Sequence, residues 1–142
     1  MREIIYESTA AKGLSSEEVF RIVYRSKQSN IRNGLSGFLV YSQGRFLQLL
    51  EGDDLALRKT LNVIEQDLRH RDFRVISERP INAPSFPDWH MRRVADSNCE
   101  IARTDVAKAL GGAIPSHVDA ALHEFFGTTP ETSLVADQRS LA

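Results

Sequence analysis

Residues 35–51, LSGFLVYSQGRFLQLLE, hold two apolar runs joined by Ser42-Gln43-Gly44, a short hairpin turn with glycine where a positive φ is favoured. Side chains alternate along a strand, so Phe46, Gln48 and Leu50 share one face while Leu47 and Leu49 share the other. A strand that is apolar on both faces needs a covering layer on each side, which limits the chain to layered architectures. Gln48 is the exception in this pattern. Burying an unpaired amide costs about 1–3 kcal/mol, so something must hydrogen-bond it.

The flanking segments define those layers. Residues 2–8, REIIYES, alternate as a strand, with Ile4 and Tyr6 on one face and Ile5 on the other. Ser15 or Ser16 can cap a helix that carries Val19, Ile22, Val23, Ser26 and Asn30 at helical spacing and ends near Arg32-Asn33-Gly34. A second helix, Asp54 to Leu68, places Leu57, Leu61, Ile64 and Leu68 on one stripe. FRVISE reads as a fourth strand and DWHMRRVA as a fifth, with PINAPSFP between them. The order βαββαββ predicts an α+β, ferredoxin-like sandwich whose two helices cover one face of an antiparallel sheet. Residues 103–126 read as two short helices broken at Gly111-Gly112, suited to the opposite face. The expected organisation is a domain over 1–96, a helical extension over 97–127 packing on the sheet, and a flexible tail over 128–142.

Composition excludes several classes. A chain of 142 residues is one ordinary domain in size, and a net charge of −1 leaves no footprint for nucleic acid or an anionic membrane. No apolar run reaches the roughly 18 residues that span a bilayer, and MREIIYEST is not a signal peptide, so a cytoplasmic location is expected. Cys99 is the single cysteine, which rules out an intrachain disulfide and thiolate metal clusters. The four histidines have no ligand spacing beyond an unremarkable pair in the last helix, and no metal site is expected. G-x-S-x-G, Walker A and G-x-G-x-x-G sequences do not occur.

Polar residues stand where apolar ones belong: Ser26 and Asn30 on the first helical stripe, Tyr6 beside Ile4, and Gln48 between Phe46 and Leu50. Singly, each has a plain reading. Asn30 can cap a helix end, Ser26 can bond back to its own helix, and Tyr6 can reach the surface. Together they describe a slot between the helices, apolar on its faces and polar at its edge, shaped for a flat heterocycle. DLRHRD, residues 67–72, either complements a helix C-terminus or reaches a ligand's polar edge.

In this order the residues resemble the BLUF family, bacterial sensors of blue light using FAD, from about Arg2 to Val94. The resemblance is carried by IIYEST, SKQSNIRNGLSGFLVY, GRFLQLLEG, IEQDLRHRDFRV and FPDWHM. It implies a βαββαββ sandwich with a flavin between the helices, FAD being the family's cofactor and FMN or riboflavin sharing the same ring. Tyr6 then matches the electron donor, and Gln48 the amide between that tyrosine and the flavin. Asn30 matches the amide on the pyrimidine edge, and Ile22 and Ile64 the aliphatic pair on the ring faces, with Ser26 on the same helix side. Arg69 and His70 match the basic pair, with Asp67 beside them. Trp89 and Met91 match a pair that reports the state of the glutamine, Trp89 turned either in or out. The resemblance implies a photoreceptor rather than an enzyme. Light-driven electron and proton transfer from Tyr6 would leave Gln48 rotated or tautomerised, with a small red shift in absorption. The implied partners are flavin, a separate effector protein and further copies of the chain in a homo-oligomer. Two other classes stay open on the residues alone: a flavin-dependent oxidoreductase, and a cofactor-free interaction module. Colour separates the last from the first, and a reversible red shift separates the first from the second.

Overall fold

The computed structural model describes residues 1–128 and contains two compact units, Met1–Val94 and a second that begins at Ala95. All but the first residue of the expected tail lies outside the described residues. The first unit runs β1 (Arg2–Ala10), α1 (Ser16–Asn33), β2 (Ser36–Ser42), β3 (Arg45–Gly52), α2 (Asp54–Glu65), β4 (His70–Pro80) and β5 (Arg92–Arg93). The sheet order is β4-β1-β3-β2-β5.

Local chemistry sets most of these boundaries. Ser15 caps α1 by accepting from the Glu18 backbone N–H at 3.1 Å, while the Glu18 carboxylate accepts from the Ser15 backbone N–H at 3.1 Å. Gly34 ends the helix in the left-handed region, at φ 68°. Asp53 caps α2 by accepting from Leu55 N at 3.2 Å. The hairpin closes on two residues, Gln43 and Gly44, both at positive φ (51° and 75°), because Ser42 pairs with Arg45.

That turn fixes the register across the sheet. Leu39 stands opposite Gln48, Gln48 opposite Tyr6, and Tyr6 opposite Val75. Paired residues share a face, so Tyr6 and Gln48 lie side by side beneath the helices with Ile4, Leu39, Phe46 and Leu50. The cluster of buried residues there includes Val19 of α1 and Leu57 of α2, with Ile22, Val23, Leu61 and Ile64 packed against it. Ile5, Phe38, Val40, Leu47 and Leu49 occupy the other face and are all buried.

Several elements differ from the sequence reading. α2 ends at Glu65 with Gln66 as its cap, so Leu68 leaves the stripe and is 92% exposed. The fifth strand shrinks to Arg92–Arg93 and pairs parallel to β2, so the sheet is mixed rather than antiparallel. The long connection from β4 brings the chain back along β2 in the same direction. In the second unit α3 (Cys99–Leu110) begins earlier than expected, because Asn98 caps it by accepting from Ile101 N at 2.9 Å. α3 ends at Gly111, and α4 (Ser116–Phe126) follows, with Arg103 donating to Asp119 at 2.6 Å between them. Among the described residues no helix is long and apolar enough to cross a membrane.

Candidate functional site

A cleft opens between α1 and α2 above the Tyr6–Gln48 pair. Its outer lobe, about 270 Å³, runs from Arg25 and Lys59 at the rim to Asn30 and Gln48. A smaller inner lobe, about 60 Å³, reaches Tyr6, Ile22, Leu39, Phe46 and His70. Ser26, Gln48, Ile64, Asp67 and Arg69 line both.

Tyr6 and Gln48 are almost wholly buried. The Tyr6 phenol donates to Gln48 Oε1, and Gln48 Nε2 donates to Met91 Sδ at 3.4 Å. The amide is thus satisfied on both sides, strongly by a hydroxyl and weakly by a thioether. Phe73 backs the phenol with ring centroids 4.7 Å apart. Burial, and then the negative charge of Asp67, raises the Tyr6 pKa well above the ordinary tyrosine range. The phenol therefore keeps its proton in the resting protein.

Asn30 is buried at the last turn of α1, and its Nδ2 donates to the His90 carbonyl at 2.5 Å. Asp67 accepts from Arg69 Nε at 2.9 Å and Nη2 at 2.5 Å, and from the Arg69 backbone N–H at 2.9 Å. These bonds hold the Asp67 carboxyl below its usual range and aim the guanidinium along the cleft wall. His70 joins α2 to β1. Its Nε2 lies 2.5 Å from the Ile64 carbonyl and its Nδ1 lies 2.8 Å from Ser8 Oγ. A carbonyl only accepts, so Nε2 carries hydrogen and donates to it.

Of the residues singled out from the sequence, Tyr6, Ile22, Ser26, Asn30, Gln48, Ile64, Asp67, Arg69 and His70 all line the cleft. Met91 touches it through Gln48. Trp89 lies elsewhere: it stacks on Phe86 at 5.3 Å and meets Phe38 edge-on at 6.4 Å, on the opposite sheet face. The cause is local. The Trp89 carbonyl accepts from Gly37 N–H at 2.7 Å at the β2 edge, where the chain crosses between faces. Leu39, which lines the inner lobe, escaped the sequence reading, although the hairpin register places it opposite Gln48. Arg25 and Lys59 also escaped it. Their exposed helical positions carry no signal until the cleft is seen.

The donor set fits a flavin. Ile22 and Ile64 offer aliphatic surface from the two helices, while Gln48, Asn30 and Arg69 offer N–H groups to a carbonyl-rich ring edge. Among the described residues Arg25 and Lys59 have no ion-pair or hydrogen-bond partner, leaving two exposed cations at the rim.

Known proteins agree with this geometry. A family model described as sensors of blue light using FAD matches residues 1–92. Photoactivated adenylate cyclase subunit beta of Euglena gracilis is 32% identical over 95 residues, covering 65% of this chain and 11% of that protein. The alpha subunit from the same organism is 30% identical over 94 residues, 65% of this chain and 9% of its own length. The chain therefore spans about a tenth of the curated relatives it matches. Among solved structures, a bacterial light-regulated adenylyl cyclase aligns over 92% of this chain and 41% of its own at 28% identity and TM-score 0.66. The BLUF protein BlrB, in its dark state, aligns over 84% of this chain and 94% of its own at 26% identity and TM-score 0.67. With the match covering both helices and strands β1 to β4 of the cleft unit, the chain belongs to the BLUF family of blue-light sensors using FAD.

Proposed function

We propose that this chain holds FAD in the α1–α2 cleft and turns blue light into a rearrangement of the Tyr6–Gln48–Met91 series, which an effector protein then reads. The observation that carries this is the Gln48 amide, bonded to a buried phenol on one side and to Met91 on the other. Bound flavin supplies the blue absorption and, once excited, an acceptor for one electron.

Tyr6 is the donor side of the reading. Loss of an electron turns a phenol into a strong acid, and the proton has an acceptor already in place at Gln48 Oε1. Burial excludes water as a competing base. If the amide rotates, Oε1 and Nε2 exchange places and Met91 Sδ faces an oxygen instead of an N–H. That contact is then lost, and the residues leading into β5 change their restraint. The electron and the proton both return to Tyr6 when the cycle closes, so Gln48 is left with no net charge and the product is conformational. Asn30 and Arg69 would orient the ring edge, and Ile22 and Ile64 would clamp its faces. The rim pair Arg25 and Lys59 supports a phosphate-bearing flavin over riboflavin.

Absorption of the flavin-loaded protein in the dark and under blue light tests the reading. A small red shift that reverses in the dark is expected, and Tyr6→Phe should bind flavin without showing it. Lasting bleaching of the flavin band with no reversible shift would instead favour an oxidoreductase.

A further inference from the structure

The chain between β4 and β5 crosses from one sheet face to the other around the β2 edge, and residues 84–91 are held at four points on the way. Glu51, at the end of β3 and fully buried, accepts from Ser85 N at 2.8 Å and Phe86 N at 2.7 Å. Gly37 N–H donates to the Trp89 carbonyl at 2.7 Å, Asn30 donates to the His90 carbonyl at 2.5 Å, and Gln48 donates to Met91 Sδ at 3.4 Å. Trp89 N–H returns to the Phe86 carbonyl at 3.0 Å, closing the segment into a turn. Phe86 is 3% exposed and packs on Phe38 and Trp89. The last two holding points touch the flavin cleft. Glu51 does not.

We propose that Glu51 is a positioning residue for the light response. It fixes the origin of this strap, so that a change at Gln48 is delivered to Met91 and β5 instead of being absorbed by slack in the loop. This rests on the reading of Gln48 and Met91 given above. The carboxylate suits the task because all three of its partners are donors: Ser36 Oγ at 2.7 Å joins the two backbone amides. A glutamine of the same size cannot serve all three. With its oxygen placed for Ser36 and Phe86, its Nε2 would face the Ser85 N–H, donor against donor. The strap would detach at its origin while the cleft kept every lining residue.

The test is the photocycle of the flavin-loaded protein in four forms: wild type, Glu51→Gln, Met91→Ala and the double variant. Glu51→Gln should keep the full light-induced red shift and change the dark-recovery rate by roughly threefold to tenfold, the effect one hydrogen bond has on a rate. In the Met91→Ala background it should change nothing further, because its influence passes through Met91. Ser36→Ala removes one of the three donors more gently and should shift recovery in the same direction by less. It serves if Glu51→Gln accumulates poorly. Normal recovery in Glu51→Gln overturns the inference, as does an equal effect with and without Met91, which would mark Glu51 as merely structural. A wild-type protein with no reversible shift would instead remove the photoreceptor reading itself, and this inference with it.

Discussion

Replacing Gln48 by leucine puts an apolar side chain on a face already shared with Phe46 and Leu50 and removes one buried amide. It also removes the acceptor of the Tyr6 phenol, which is 4% exposed. A buried hydroxyl left without a partner costs about 1–3 kcal/mol, more than the roughly 0.5–1.5 kcal/mol that a satisfied hydrogen bond contributes. The lost donor contact to a thioether adds little. Gln48→Leu should therefore destabilise the cleft unit by about 1–2 kcal/mol, or roughly 4–16 °C in Tm for a domain of this size. Tyr6→Phe alone strands the amide oxygen at comparable cost. The double variant strands neither group, so it should be at least about 1 kcal/mol more stable than the sum of the single losses implies. Thermal unfolding of all four proteins at one flavin concentration measures this once each variant's flavin affinity is known. Bound ligand at free concentration L stabilises each by RT ln(1 + L/Kd), and that part is subtracted. Additive losses in the double variant would refute the idea that Tyr6 and Gln48 satisfy each other. Gln48→Leu should also be unresponsive to blue light, its flavin spectrum displaced already in the dark.

Gly37→Ala should cost about 4 kcal/mol or more, because at φ 150° its Cβ would sit 1.9 Å from the Leu49 carbonyl oxygen, a backbone atom that cannot step aside; thermal unfolding or loss of soluble protein reads this out. Replacing Arg25 and Lys59 together by alanine should weaken binding of FAD and FMN by about tenfold or more and leave riboflavin nearly unchanged, as two charge-assisted contacts to phosphate predict; equal losses for all three flavins in a fluorescence-quenching titration would contradict the rim assignment. The raised pKa of Tyr6 has a pH consequence: its contribution to stability is fully present below the unfolded value of about 10 and is lost as pH rises through the folded value. Tyr6→Phe should therefore fall less steeply than wild type in stability above about pH 10, and parallel alkaline profiles would count against a buried, protonated phenol.

The legible parts of the sequence were those where chemistry and local periodicity agree. Ser15 with Glu18, Asp53, and the Gln43-Gly44 turn each declare a boundary, and the apolar double face of residues 45–51 declares a central strand. Tyr6 and Gln48 stood out because a polar group amid apolar neighbours demands a partner. Strand periodicity alone cannot pair them, since the register of β1 on β3 depends on the whole sheet; the family resemblance is what pairs them. Leu68 kept the helical period but fell past the cap at Gln66, where periodicity no longer governs the backbone. β5 is shorter than the expected DWHMRRVA strand, and its two residues of parallel pairing leave no alternation to detect. Glu51 was hidden for a related reason. An acid at a strand end reads as exposed, and its backbone partners at Ser85 and Phe86 belong to a loop that no local pattern ties to it.

Two amides in the cleft hold consecutive residues of one strap, Asn30 at His90 and Gln48 at Met91, yet they hold them unequally. An amide donating to a peptide carbonyl at 2.5 Å makes a full hydrogen bond, whereas the contact to a thioether at 3.4 Å is weak. Gln48 also has the stronger competing attraction, because the Tyr6 phenol engages its other end. A disturbance that reaches both amides breaks the weaker contact first. His90 stays anchored to α1 while Met91 is released, and the next residues, Arg92–Arg93, are the two that pair with β2 at Phe38 and Leu39. Leu39 lies opposite Gln48, so β5 pairs with the row of residues that holds the amide. Its pairing is the shortest in the sheet, with the least hydrogen bonding to lose. The place where the sheet yields most easily is therefore the place the Gln48–Met91 contact restrains.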